Sequence, residues 1–284
     1  MDTPADIRRI ALAVPKRLRG SNFRHAVEAV AALRHLDAAE RAGLVPTTGP
    51  KDEQRAFQFH IARIVAQGGV REVAARWDEL RPAHWREELV TEIGQAFHLW
   101  VDEGTMEVLI AALEDADPHV ARRAPGPLIE CVRERSEKER RQWRKTIRGN
   151  AALQAYDQAR AWITPVRRGR VARAATATIE RHVPAAHGVV IWPERYIELL
   201  GLTADRGDAR AIAVLESIRP LAGEPRRSQV ERLDPHNLPW PTSLLAAKKG
   251  IPPGTPIVRV WSVPTGLLDL KVLEEAIERI RRRA

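Results

Sequence analysis

Cysteine is nearly absent from this chain of 284 residues, which contains only Cys131. A single thiol cannot form a disulfide bond within the chain, and no cluster of metal-binding residue types surrounds it in the sequence. We therefore expect a reduced thiol without a catalytic role, and a cytoplasmic location.

Long apolar runs are missing as well. No segment approaches the roughly 18 consecutive apolar residues that a membrane-spanning helix needs. The first twenty residues lack the order of a secretory signal, because acidic residues come first and the short apolar run ends at Pro15. We expect a soluble chain with no part in the membrane.

Tyrosine and phenylalanine are scarce, with two and four residues, although 44% of the chain is hydrophobic and 29% is charged. This composition is that of a folded protein and is too apolar for intrinsic disorder. Alanine, leucine, valine and isoleucine make up most of the apolar residues, and this mixture favours helices that pack closely on helices. The composition therefore predicts an all-α fold, as one elongated array or two compact domains.

Three segments share a pattern in which an apolar helix ends at a glycine and an amphipathic helix follows. Gly69 and Gly104 are 35 residues apart, and Gly104 and Gly207 are 103 apart, close to one and three units of about 34 residues. Glycine can end a helix with positive φ, and Asp or Pro can begin the next helix. The pattern predicts stacked helical hairpins on one lattice.

Two of these blocks resemble a known repeat family. Residues 207–212 (Gly-Asp-Ala-Arg-Ala-Ile) with Leu215, and residues 113–124 (Leu-Glu-Asp-Ala-Asp-Pro-His-Val-Ala-Arg-Arg-Ala), look like HEAT-like repeats of the phycobilisome-lyase type. The resemblance is clearest at residues 60–124 and 190–219, and it implies a HEAT-like α-solenoid. A tetratricopeptide array has a similar period, but its Trp, Leu-Gly and Tyr pattern is absent.

The hydrophobic pattern predicts the following helices: 5–18, 22–42, 51–66, 70–80, 84–101, 105–114, 118–134, 137–148, 151–163, 166–181, 193–201 and 208–218. Nine of the twenty prolines then fall between Pro220 and Pro264, and Pro239-Trp240-Pro241 cannot lie inside a helix. We therefore expect a HEAT-like helical array at residues 1–221 and a Pro-rich extension at residues 222–284.

The Pro-rich extension contains two further predicted elements. Residues 257–263 (Ile-Val-Arg-Val-Trp-Ser-Val) form the best strand candidate in the chain. The last segment is predicted to be a helix with an apolar stripe, made of Leu270, Leu273, Ile277 and Ile280. This stripe is expected either to cap the last repeat or to dock a partner or a second copy, and the sequence leaves the oligomeric state open.

The formal net charge of +9 is concentrated between Arg133 and Arg181. One predicted helix there carries basic residues that recur about every four positions: Arg140, Arg141, Arg144, Lys145 and Arg148. Trp143 and Ile147 are expected to point away from this basic face. Glu137 can pair with Arg141 four residues later, so the segment could equally be an ordinary solvated helix.

A second basic cluster occupies the next predicted helix, at Arg167, Arg168, Arg170 and Arg173. No acidic residue follows in this segment before Glu180, so nothing nearby in the sequence offsets the repulsion among the arginines. Guanidinium groups bind phosphate oxygens in a bidentate manner. We expect an acidic macromolecule as the partner, and the sequence leaves nucleic acid and an acidic protein surface as alternatives.

Signatures of metal or covalent chemistry are not found in the sequence. The nine histidines do not form an HExxH motif, and there is no Walker loop, GxGxxG or GxSxG motif. We assign no metal, no cofactor and no catalytic residue. The preferred interpretation is a non-enzymatic scaffold that binds a macromolecule.

Eight tryptophans leave one enzymatic alternative open. A HEAT-like fold with a basic groove, exposed tryptophans and a catalytic aspartate is similar to the alkylpurine DNA glycosylases. The candidate pairs are Trp77 with Asp78 and Trp100 with Asp102, but adjacent helical residues point about 100° apart and the motif of that family is not matched. A third hypothesis is a protein–protein adaptor that acts through the C-terminal helix.

Overall fold

The computed structural model describes residues 4–19, 23–49, 51–183, 193–223, 225–233, 252, 257–264 and 268–282. Most of these residues are helical, which supports the predicted all-α fold. No helix in these ranges is long and apolar enough to cross a membrane. The predicted Pro239-Trp240-Pro241 break lies outside the described residues.

The first nine helices occupy the chain up to residue 113. They are α1 (Pro4–Leu12), α2 (Val14–Leu18), α3 (Phe23–Ala32), α4 (Ala38–Leu44), α5 (Glu53–Gly68), α6 (Arg71–Ala75), α7 (Ala83–Gln95), α8 (Phe97–Trp100) and α9 (Glu103–Leu113). Short 3-10 helices at Leu33–His35 and Trp77–Glu79 lie between them.

The remaining helices follow a proline-containing turn. They are α10 (Pro118–Ala121), α11 (Pro125–Val132), α12 (Glu137–Trp143), α13 (Ile147–Arg160), α14 (Pro165–His182), α15 (Pro193–Thr203), α16 (Ala209–Ser217) and α17 (Leu270–Arg282). A 3-10 helix at Arg219–Leu221 follows α16.

Several long predicted helices are interrupted. The helix expected at 22–42 is broken because Asp37 begins α4, where its side chain accepts a hydrogen bond from the Glu40 amide at 2.9 Å. The helix expected at 118–134 restarts at Pro125, since proline has no amide hydrogen to continue a helix but is well suited to its first turn. The helix expected at 84–101 is interrupted at Ala96, whose backbone is not helical.

The three turn glycines do not play one role. Gly69 and Gly207 have positive φ angles of 80° and 66°, as predicted. The prediction for Gly104 is wrong, because Asp102 caps α9 and places Gly104 in its first turn. A Cβ atom on Gly104 would lie 2.4 Å from the backbone nitrogen of Arg71. Glycine is therefore needed there for the close approach of α6 and α9.

The helices share one continuous apolar core. One series of successive contacts joins α1 to α3, α3 to α5, α5 to α6 and α6 to α9. It continues from α9 to α14, from α14 to α15 and from α15 to α17. A second series joins α7 to α8 and α10, α8 to α13, α13 to α11, and α11 to α15. Since α9 contacts α14 directly, packing is not confined to neighbours in the sequence.

Short strands connect the last helices. β1 (Ala222–Gly223) pairs in parallel with β4 (Leu268–Asp269), and β2 (Pro225–Leu233) pairs antiparallel with β3 (Ile257–Pro264). The predicted strand at 257–263 is confirmed by β3. Its partner β2 was not predicted, because its sequence, Pro-Arg-Arg-Ser-Gln-Val-Glu-Arg-Leu, contains few residues that favour strands.

The apolar stripe of α17 packs within the chain. Leu273, Ile277 and Ile280 are buried and Leu270 is half-buried, and α17 lies against α15 and α16. The amide of Gly207 donates a hydrogen bond to the Ile280 carbonyl at 2.9 Å, which holds the end of α17 at the α15–α16 turn. The chain itself therefore covers the stripe of Leu273, Ile277 and Ile280, which leaves these side chains inaccessible to a docking partner.

The contact between α15 and α17 depends on a glycine. A Cβ atom on Gly201 would lie 3.0 Å from both Cα and Cβ of Ala276. We predict that Gly201→Val lowers the free energy of unfolding by about 1–3 kcal/mol, because the added atoms overpack this crossing. Denaturant unfolding measures the loss. Gly126→Ala is the control, since its Cβ would meet nothing within 4 Å, and an equal effect of both changes would contradict the prediction.

Candidate binding surface

The first predicted basic helix is in fact two helices. Thr146 Oγ1 accepts a hydrogen bond from the Gly149 amide at 3.0 Å, so α12 ends before this residue and α13 begins after it. The expectation that Arg140, Arg144 and Arg148 lie on one helix face is therefore wrong. Ile147 starts α13 and is 69% exposed beside these cations.

The basic residues of this region divide into paired and available ones. Arg140 forms two hydrogen bonds with Asp157 of α13, at 3.1 and 2.6 Å. Four other cations are exposed at the junction of the two helices, and we call them the α12–α13 corner: Arg141, Arg144, Lys145 and Arg148. Among the described residues, Glu137 is the one carboxylate within 4 Å of their cationic groups, at 3.5 Å from Arg141 Nε and 3.3 Å from Arg144 Nη1.

A buried arginine positions the corner. The guanidinium group of Arg135 lies 5.0 Å from the Trp143 ring centroid and 5.1 Å from that of Tyr156, and it forms an ion pair with Glu130 at 2.7 Å. Arg148 connects the start of α13 to α7, because its Nη2 donates a hydrogen bond to the Gln95 carbonyl at 2.7 Å. The end of α12 and the start of α13 are thus fixed against the core.

The second basic cluster meets glutamates that the sequence placed far away. Arg167 donates to Glu107 and Glu103, both at 2.7 Å. Arg170 donates to Glu107 at 2.8 Å and to Glu114 at 3.0 Å. The expected repulsion in this segment is therefore offset by α9 and by Glu114 at its end.

The electrostatics of Glu107 reflect this pairing. Burial raises the pKa of the Glu107 carboxyl, but the hydrogen bonds and charges of Arg167 and Arg170 outweigh burial and hold the pKa below its ordinary value. An anionic ligand would have to displace a carboxylate to reach either arginine. These two side chains are thus engaged in joining α14 to α9.

The other two arginines of the second cluster have different surroundings. Arg173 is exposed, and neither it nor Arg168 forms an ion pair within the part of the chain that the structure describes. Arg168 lines a pocket together with Arg133, Arg160 and Arg279. The sequence grouped these four α14 arginines as one cluster, but their roles in the fold differ.

Trp77 contacts an aspartate other than the predicted one. Its Nε1 donates to Asp115 Oδ2 at 2.7 Å, and Arg86 donates to both Asp115 oxygens at 2.9 and 3.1 Å. Trp77 and Asp115 are buried, whereas Asp78 is exposed. In the sequence Asp115 appeared only as part of a repeat block, and nothing marked it as the partner of a tryptophan 38 residues earlier.

The second predicted tryptophan–aspartate pair is also structural. Trp100 is fully buried, and Asp102 caps α9 by accepting a hydrogen bond from the Gly104 amide at 2.6 Å. Stacking on an extruded base requires an accessible aromatic face. Since Trp77 and Trp100 are both buried, the geometry gives the glycosylase alternative no support.

Other reactive groups are buried or dispersed. Cys131 is buried, and burial raises the pKa of its thiol, so this side chain is a thiol and not a thiolate near neutral pH. Among the described residues, no group of His, Cys, Asp and Glu side chains could hold a metal ion.

Comparison with known proteins gives no match to this chain, whether with protein-family models, with curated proteins or with solved structures.

The Trp77–Asp115–Arg86 contact generates a stability prediction. Asp115→Ala removes the carboxylate that pairs with the Arg86 charge and accepts from the Trp77 indole N–H, so we expect a loss of about 3–5 kcal/mol in the free energy of unfolding. Denaturant unfolding checks this value. The control is Asp78→Ala, an exposed change that should stay within about 0.5 kcal/mol of the parent. A loss for Asp115→Ala as small as that of the control would show that the contact is not structural.

Proposed function

We propose that this chain is a non-enzymatic, HEAT-like helical scaffold that binds an acidic macromolecule through the α12–α13 corner. Nucleic acid is the partner that we propose first. The observation that carries this proposal is the concentration of four exposed cations in residues 141–148, with Glu137 as the one described carboxylate that pairs with them. Uncompensated cations on a fixed surface attract polyanions over about a Debye length.

The HEAT-like proposal is supported by one helical hairpin and one helix–turn–helix connection. Gly69 ends α5 with a positive φ and leads into α6, which packs on α5. Gly207, also with a positive φ, lies in the turn between α15 and α16. The contact series from α1 to α9 also resembles stacking of successive pairs. The direct contact of α9 with α14 departs from a strict solenoid, so the family proposal concerns the hairpin units.

The ion pairs reduce the proposed contact set. The sequence predicts that Arg140, Arg167 and Arg170 bind the anion, but each is already paired within the chain. Arg140 pairs with Asp157 of α13, Arg167 with Glu107 of α9, and Arg170 with Glu114 at the end of α9. Replacement of these protein carboxylates by a ligand anion would add little to the free energy of binding. The corner and the exposed Arg173 are therefore the proposed contacts of the basic region.

A location in the cytoplasm is part of the proposal. The free, buried Cys131 is compatible with a reducing compartment. The adaptor hypothesis, in contrast, loses its contact surface, since the apolar stripe of α17 is packed against α15 and α16.

Binding of labelled duplex DNA and single-stranded RNA across a salt series tests the proposal. The variant changes Arg141, Arg144, Lys145 and Arg148 together to Ala. Because each phosphate contact on duplex DNA contributes about 0.9 to the slope of log K against log salt, the slope should become shallower by up to about 3–4. The affinity at low salt should fall by about tenfold or more.

The control removes the same charge elsewhere, by Ala substitution of Arg9, Arg71, Arg210 and Lys271, whose side chains are all at least 68% exposed. Thermal unfolding verifies that both variants are folded. An equal loss in both variants would show a nonspecific effect of net charge. Absence of binding by the parent protein at low salt would overturn the nucleic-acid proposal and favour an acidic protein partner.

A further inference from the structure

A pocket of about 510 Å³ lies where the ends of α11, α13 and α14 meet α15 and α17. Its charged lining comprises four arginines and two carboxylates: Arg133, Arg160, Arg168, Arg279, Glu134 and Glu198. The volume is within the range of sites for small organic ligands, about 300–1,000 Å³. The pocket does not include the α12–α13 corner.

Two of the pocket arginines are already engaged. Arg133 forms ion pairs with Glu130 and Glu139, both at 3.2 Å. Arg160 donates through Nη2 to the backbone carbonyl of Arg133. These contacts hold the Arg133 and Arg160 side chains in place on the side of the pocket formed by α11 and α13.

Three of the pocket arginines keep unmatched charge. In the described part of the chain, Arg160, Arg168 and Arg279 form no ion pair, and the carboxylate oxygens of Glu134 and Glu198 are not within 4 Å of a guanidinium nitrogen of the pocket. Glu198 instead lies 3.7 Å from Arg195. The two carboxylates of the lining therefore do not neutralise its cations.

The position of Arg168 on α14 explains its difference from its neighbours. Successive residues of a helix are rotated by about 100°. Arg167 and Arg170 face the glutamates of α9, whereas Arg168 faces the pocket. Arg168 Nε and Arg160 Nε are buried without a hydrogen-bond partner among the described residues. Half-buried cations without counterions are costly, and a bound anion would offset that cost.

The chemistry of the lining indicates the class of ligand. Planar guanidinium groups bind phosphate oxygens in a bidentate manner, and a phosphate dianion matches more than one arginine. Ile163 and Leu202 supply an apolar wall beside these groups. A phosphate ester with a small organic group would fill the pocket better than a free phosphate ion.

We propose that the Arg168 pocket binds a small phosphate monoester, with the phosphate held by Arg168 and Arg279 and the organic group against Ile163 and Leu202. The site uses a surface separate from the corner and does not depend on the nucleic-acid proposal. The same chain would then carry a small-molecule site next to the core contact of α15 with α17.

Isothermal titration calorimetry with phenyl phosphate, inorganic phosphate and benzoate, at one pH and constant ionic strength, tests this site. The parent protein should bind phenyl phosphate saturably and more tightly than either other probe. Arg168→Met, which keeps the apolar stem, should weaken binding by about tenfold or more, because it removes a charge-assisted contact. Arg279→Met should also weaken binding, and because Arg279 is exposed this change should leave the fold intact.

Arg181→Met is the matched control, since it removes an exposed arginine of the same helix that does not line the pocket. Its affinity for phenyl phosphate should equal that of the parent. No saturable binding by the parent, an equal loss in the Arg181 variant, or equal affinity for benzoate would overturn the proposal.

Discussion

Ion pairs between distant helices join this fold and also determine which cations remain available. Arg167 and Glu107 are 60 residues apart in the sequence, yet they meet at 2.7 Å between α14 and α9. Arg86 with Asp115 and Arg140 with Asp157 make similar connections elsewhere. Removal of one partner from such a half-buried pair leaves a charge that is poorly solvated, so these arginines are held by the fold.

The same pairing separates two kinds of basic surface. Cations at the α12–α13 corner share one nearby carboxylate, whereas those of α14 are divided among α9, solvent and the Arg168 pocket. A polyanion can neutralise exposed cations without displacing a protein carboxylate. A small phosphate ester, in contrast, needs a pocket with cations on more than one wall.

Local features of the structure could be predicted from the sequence. Gly69 ends α5, Gly207 lies with a positive φ in the turn before α16, and residues 257–263 form a strand, because each depends on residues close together in the chain. Contacts between distant residues could not be predicted. No local signal identified Asp115 as the acceptor for Trp77, or α9 as the source of counterions for Arg167.

The same limit explains the errors within the basic region. A four-residue period suggested one helix from 137 to 148, but the Thr146 cap divides it and exposes Ile147. Thr is a common capping residue, so this break had a signal in the sequence, although the regular arginine spacing outweighed it. For Gly104, in contrast, the sequence near it held no signal, since its role in the α6–α9 contact depends on the backbone of Arg71.

The central claim is that ion pairing divides the basic region into structural and available arginines. Arginine modification by phenylglyoxal, followed by peptide mass spectrometry, measures this division directly in the folded protein. The account predicts fast modification of Arg141, Arg144 and Arg173, and slow modification of Arg140 and Arg167. Similar rates at all five positions would contradict it.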